Sequence, residues 1–179
     1  RQDNGLYENT IIIFAGDNGL AAGQHGLMGK QNVYEHSVGV PLMIKAAAQH
    51  TGKKTADLCY LIDVFPTLCD MLQLPVPQSV DGISLLSSLD GKEPVRDYLY
   101  YSYMDNQRGI SDGTWKLIEY HVNGKRTTQL FNLKNDPWER NDLSGQKKYE
   151  KTIQRLREKM AEEQKRTNDT SVFWNNFSY

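Results

Sequence analysis

Little in this sequence supports covalent cross-linking. Cys59 and Cys69 are the only cysteines in 179 residues, too few for a disulfide framework. If both lie on one helix, their ten-residue separation spans roughly 15 Å, beyond disulfide reach. The spacing fits no familiar zinc pattern, and neither residue opens a Cys-x-Pro-x-Arg or nucleophile-elbow sequence. Both are expected in the core. No run approaches the roughly 20 apolar residues that cross a bilayer, and no charged start followed by an apolar stretch marks a signal peptide. Charge of one sign is lacking too: Lys+Arg 21 against Asp+Glu 22, with no long basic stripe, removes the footprint of a nucleic-acid or membrane-surface binder. A small-molecule partner is the remaining expectation.

Hydrophobic residues make up 39% of the chain, enough for a globular core. The chain starts at Arg1, in a polar segment that runs directly into an apolar strand, and is therefore expected to lack an N-terminal portion of its domain. Ile11-Ile12-Ile13-Phe14-Ala15 is short, continuously apolar and β-branched, the pattern of a strand buried on both faces of a parallel sheet. Val40-Pro41-Leu42-Met43-Ile44 reads as a second strand, with its proline at the tolerated first positions. A glycine-punctuated loop joins them. Residues 57–74 read as a helix with Leu58, Leu61, Ile62, Phe65, Leu68, Cys69 and Leu72 on one face, ended by Pro75 and Pro77. Residues 76–94 read as a surface linker with turns at Asp81-Gly82 and Asp90-Gly91.

From Tyr98 the pattern changes. Runs at 98–103, 107–111, 115–120 and 127–133, separated by Asp112-Gly113 and Asn123-Gly124, predict an antiparallel meander closed by Asn135-Asp136-Pro137. Tyr149, Ile153, Leu156 and Met160 then recur at helical spacing, predicting an amphipathic helix that covers the sheet. The expected division is 1–95 and 96–179.

Chemistry concentrates in 17–30. Asp17 and Asn18 come directly after the first strand, where open α/β sheets collect ligands, and offer hard oxygen donors suited to Ca²⁺ or Mg²⁺. Asp-Asn-Gly alone is also an ordinary turn. The neighbouring residues favour a site: Gly23-Gln24-His25-Gly26-Leu27-Met28-Gly29-Lys30 sets one histidine and one lysine among three glycines, a loop suited to a bound anion. For His36, His50 and His121 a structural role is favoured, since none has a metal-ligand partner at close spacing.

Residues 10–44 closely resemble the sulfatase pattern: apolar strand, Asp-Asn/His-Gly, Gly-x-His-Gly-Leu-x-Gly-Lys, Tyr34-Glu35, then Val40-Pro41-Leu42. Asp63-Val64-Phe65-Pro66-Thr67-Leu68, Trp115-Lys116-Leu117-Ile118, Leu130-Phe131-Asn132-Leu133 and Asn135-Asp136-Pro137-Trp138-Glu139 extend that resemblance along nearly the whole chain. It implies the end of an alkaline-phosphatase-like α/β sheet and then a small C-terminal antiparallel sheet under a helix. It further implies that Asp17 and Asn18 ligate a divalent cation, normally calcium with magnesium second, that Lys30 contacts sulfate, and that His25 faces sulfate or leaving group. A sulfated small molecule or glycan would be the substrate, in a periplasmic, secreted or lysosomal setting. Asn168-Asp169-Thr170 and Asn176-Phe177-Ser178 match glycosylation sequons, signals too short to decide the compartment. The family's nucleophile, a formylglycine made from a Cys/Ser-x-Pro-x-Arg sequence, has no counterpart among these residues. The chain alone is therefore expected to be inactive. Two alternatives remain: a phosphodiesterase or phosphonate hydrolase of the same superfamily, which would usually carry histidine where Asn18 stands, or a non-catalytic binding module.

Overall fold

The computed structural model describes residues 4–46, 52 and 54–171. His50 and the second sequon lie outside them. Two compact units emerge, Arg1–Asp17 with Val40–Asp97, and Asn18–Gly39 with Tyr98–Tyr179. This division differs from the expected one by placing the glycine-rich loop with the C-terminal sheet. The reason is apolar contact: Val33 and Tyr34 of that loop share a core cluster with Ile118 and Phe131.

In the first unit, β1 (Ile12–Ala15) pairs with β4 (Leu42–Lys45), with Phe14 opposite Met43. The pairing is antiparallel, where the apolar run alone suggested a parallel ladder. Phe14 and Met43 are 57% and 58% exposed. Apolar composition alone does not specify strand direction, because the same side chains suit either ladder.

The helix expected over 57–74 is shorter. A 3₁₀ turn, Leu61–Asp63, leads into α2 (Val64–Met71), and the residues before Leu61 are not helical. Asp63 explains the late start. Its fully buried carboxylate accepts from Tyr60 N at 2.7 Å, from Ile83 N at 2.8 Å, and from Arg96 Nε and Nη2 at 3.1 and 2.5 Å. Pro66 falls in the first turn of α2, where an N–H has no helical acceptor to lose. Much of the predicted apolar face is outside: Leu61, Ile62, Phe65 and Leu72 are exposed, while Cys69 of that face is buried along with Pro66 and Thr67. Cys59 precedes the helix, and both cysteines are free thiols. The supposed linker folds into α3 (Leu86–Leu89), with Leu85 and Ser88 buried. Thr67 Oγ1, which accepts from Leu85 N at 2.8 Å, ties the two helices together.

The second unit matches its sequence pattern more closely. Strands β5 (Leu99–Tyr103), β6 (Gln107–Ser111), β7 (Trp115–Val122) and β8 (Lys125–Asn132) form an antiparallel meander in that order. Asn123 and Gly124 adopt φ of 52° and 72°, the left-handed pair of a tight hairpin whose twist matches its strands. Helix α4 (Glu150–Arg166) lays Ile153, Leu156 and Met160 against Tyr100, Ile110, Leu117 and Leu130. The strand period of two turns Ile118 and Phe131 to the opposite face, where Val33 and Tyr34 meet them. This small sheet is thus covered on both sides. Among the described residues no helix is long and apolar enough to cross a membrane.

Candidate functional site

The loop 18–39 carries most of the predicted site. It opens with a backbone clamp: Asn18 Nδ2 and Gly19 N donate to the Ser37 carbonyl at 3.1 and 3.0 Å. Ser37 belongs to the short helix α1 (Glu35–Val38). A Cβ on Gly19 would stand 1.9 Å from the His36 carbonyl oxygen, so only glycine permits this approach. The clamp commits the donor end of the Asn18 amide and leaves its carbonyl oxygen for other work. With the exposed Asp17 carboxylate immediately before it, the pair is all oxygen, chemistry that fits a hard divalent cation. Two donors are few for calcium, which takes six to eight oxygens. Among the described residues no group of three or more His, Cys, Asp or Glu is arranged to hold a metal.

Next comes a hairpin of β2 (Ala21–Ala22) and β3 (Met28–Gly29), closed by Gly23 N donating to Leu27 O at 2.9 Å. His25 sits at its tip with φ of 53°, flanked by Gly23 and Gly26, also at positive φ. The glycine pattern therefore reflects a tight turn with one imidazole at its tip. The His25 ring lies 3.9 Å from that of Tyr34 with 3° between planes, and His36 lies 5.7 Å from both. Tyr34 is fixed beneath by donating to Gln129 Oε1 at 2.7 Å.

Lys30 is exposed and sits directly after β3, at the other end of the hairpin arm. Extended backbone rises about 3.3 Å per residue, so the arm from Leu27 to Lys30 is roughly 10 Å long. His25 and Lys30 thus stand at different points of the hairpin. The Lys30 carbonyl accepts from Asn32 N at 2.9 Å, which holds the backbone under its side chain.

A cleft of about 500 Å³ opens beside His25 and is lined by Gln24, His25, His36, Trp138, Glu139 and Arg140. His36 thus lies at a cavity although its spacing gave it only a structural role. Burial holds its pKa below the ordinary imidazole value, with the neighbouring His25 and Lys116 acting the same way. Its Nε2 is buried without a hydrogen-bond partner. The imidazole is therefore neutral near pH 7.

Under the cleft lies a buried ion cluster. Lys116, fully buried, sits 2.8 Å from Glu35 Oε1 and 3.2 Å from Glu139 Oε1, and Glu35 N donates to Glu139 Oε2 at 2.6 Å. Burial raises the Glu139 pKa, an effect opposed by Lys116 and by the Glu35 N–H. The three residues come from Tyr34-Glu35, Trp115-Lys116 and Trp138-Glu139, motifs far apart in sequence. Their joint role was invisible there, because charge pairing at such separations has no local period. Trp138, Arg140 and Gln24 likewise line the cleft without a local sequence signal for it, because exposure is set only by folding. Arg108, Tyr101 and His121 take structural places. Arg108 grips Asp169 at 2.7 Å, Tyr101 lies under Lys116, and His121 pairs across the hairpin with Arg126.

Known proteins agree with this architecture. The family described as N-sulphoglucosamine sulphohydrolase, C-terminal, matches residues 23–166. Chain and fold are thus those of the C-terminal portion of an alkaline-phosphatase-like α/β fold. More particularly, the chain belongs to this sulfatase C-terminal family. N-acetylglucosamine-6-O-sulfatase of Bacteroides thetaiotaomicron is 30% identical over 178 residues, 92% of this chain and 32% of that protein. Human arylsulfatase K is 28% identical over 145 residues, 74% of this chain and 27% of its own length. A solved structure in complex with its substrate D-glucosamine-2-N,6-O-disulfate superposes with a TM-score of 0.82 at 28% identity, covering 97% of this chain and 37% of that one. Phosphonate monoester hydrolase of Agrobacterium radiobacter also superposes, with a TM-score of 0.73 at 25% identity over 90% of this chain and 36% of that one. The chain spans about a third of the length of these relatives.

Proposed function

We propose that this chain is the C-terminal part of a sulfuric ester hydrolase acting on a sulfated small molecule or glycan, with Lys30 binding the sulfate. The observation that carries the reading is the clamped Asp17-Asn18-Gly19 turn leading into the His25–Lys30 hairpin, in a chain of the sulfatase C-terminal family. Asp17 and Asn18 would supply two oxygen ligands to Ca²⁺, which as a bound cation would offset the charge of the sulfate. The reacting nucleophile, a formylglycine, would come from sequence outside these 179 residues, since no Cys/Ser-x-Pro-x-Arg occurs within them. Lys30 holds the anion and meets charge developing on the transferred group. His25, at the hairpin tip, faces sulfate or leaving group.

Sulfated amino sugars are favoured among substrates by two of the comparisons. One is named for N-acetylglucosamine 6-O-sulfate chemistry, and the other was solved with a glucosamine disulfate. A second reading, phosphonate monoester hydrolysis, is favoured by the superposition on the Agrobacterium enzyme. Asn18 weighs against it, because a two-zinc site calls for histidine there.

Sulfate release from D-glucosamine 6-sulfate, beside hydrolysis of the phosphonate monoester p-nitrophenyl phenylphosphonate, separates the two readings in the full-length enzyme. We expect sulfate release to dominate and Lys30→Ala to lower kcat by about 10²–10³-fold, the usual cost of losing one preorganised anion contact. The 179-residue chain alone should show no turnover with either compound. Activity of that isolated chain, or dominant phosphonate hydrolysis, would sink the reading.

A further inference from the structure

The cleft beside His25 is better furnished than a structural crevice requires. Trp138 is 67% exposed at its edge and presents an amphipathic ring there. Arg140 lines the same cleft and is exposed. Of the acids around it, Asp136 lies within reach of the Arg140 charge, and its carboxylate also accepts from backbone N–H groups. Asp136 Oδ2 accepts from Asn141 N at 2.8 Å, and Asp142 Oδ1 accepts from Leu130 N at 3.0 Å and Ser144 N at 2.9 Å. Glu139 also lines the cleft, but its carboxylate is 1% exposed and bound to Lys116 and Glu35 N. A ligand therefore meets the indole, the guanidinium, the His25 ring and the Gln24 amide.

His25 adds a defined polarity. Its Nε2 lies 3.3 Å from the Trp138 carbonyl oxygen, which only accepts, so Nε2 carries the proton. In the neutral ring Nδ1 is then the accepting nitrogen, suited to a hydroxyl. The same bond joins the hairpin tip to the Trp138 loop, and the buried Lys116 cluster fixes that loop from below. An aromatic platform, a planar cation and a hydroxyl acceptor on rigid supports match a pyranose with an acidic substituent.

We propose that this cleft is a monosaccharide subsite: the sugar ring stacks on Trp138, a hydroxyl donates to His25, and an anionic substituent other than the scissile sulfate pairs with Arg140. The inference rests on the sulfatase reading for the place of the scissile group at Lys30. It adds residues that recognise the rest of the sugar, and with them a preference for doubly anionic over singly anionic sugars. Arg140 and Trp138 bind without touching the reacting atoms.

The test compares D-glucosamine 6-sulfate with D-glucosamine-2-N,6-O-disulfate on the full-length enzyme. The wild type should favour the disulfate in kcat/KM. Arg140→Gln should remove that preference by raising KM for the disulfate about tenfold, with kcat kept. Trp138→Ala should raise KM for both sugars. Because Trp138 is exposed, neither change threatens folding, and tryptophan fluorescence gives a readout besides turnover. The disulfate should quench the wild type, and Trp138→Phe should abolish that quenching. Preserved preference in Arg140→Gln together with unaltered quenching in Trp138→Phe would overturn the subsite while leaving sulfatase activity intact. Quenching that depends on Trp138, without desulfation of either sugar, would instead keep the subsite and overturn the sulfatase reading.

Discussion

The two units treat their apolar residues differently. In the second, Ile110, Leu117, Ile118, Leu130, Leu156 and Met160 are fully buried, because α4 covers one face of the sheet and the loop with Val33 and Tyr34 covers the other. In the first, Phe14, Met43, Ile62 and Phe65 are each more than half exposed, and order rests on polar clamps such as Asp63 with Arg96. A unit with a closed core resists unfolding through hydrophobic burial, whereas a unit with open apolar faces has surface still to be buried. The contrast fits a chain that spans about a third of its relatives' length.

The largest expected effect tests whether the second unit is as closed as its packing implies. Lys116→Met leaves the Glu35 and Glu139 carboxylates facing each other without a cation, and should destabilise that unit by about 3–5 kcal/mol in denaturant melts. Adding Glu35→Gln and Glu139→Gln should restore most of the loss. An unchanged midpoint in the single variant would break the comparison, by showing that the cluster is wetter than its burial implies.

A smaller effect concerns pH. Burial pushes the Asp169 carboxyl upward, but hydrogen bonds from Arg108, Tyr100 and Ser171 N outweigh it and hold the pKa below its ordinary 3.8. A depressed acid contributes stability that is complete above the unfolded value and disappears as pH falls through the folded one. Asp169→Asn should cost about 2 kcal/mol near neutrality, a value typical of hydrogen bonds to a charged group, and should flatten the acid limb below about pH 4. An acid limb identical to wild type would show that the Arg108 contact does not hold the end of α4. Glu139 has the opposite sign: its raised pKa makes it take up a proton first on acidification, relieving a buried charge.

The smallest effect belongs to the open unit. Met43→Lys should change the stability of this chain by no more than about 0.5 kcal/mol, as expected at an exposed position. In the full-length enzyme the same change should be clearly destabilising if additional chain buries that face. Equal, negligible effects in both proteins would remove the contrast between the units.

How far the residues alone carry this protein depends on the range of the forces involved. The meander and α4 were legible because their signals are local: Asn123-Gly124 demands a left-handed turn, and Ile153, Leu156 and Met160 repeat at the pitch of one helix face. Asp17, Asn18, His25 and Lys30 stood out through their spacing among glycines, and the clamp on Ser37 gives Gly19 its steric reason. Tertiary structure decided the rest. The antiparallel pairing of β1 with β4, the late start of α2 under the buried Asp63 carboxylate, the Glu35–Lys116–Glu139 cluster and the meeting of His25 with Trp138 all join distant segments. Those contacts depend on desolvation and charge pairing between groups that only folding brings together, so no local pattern announces them.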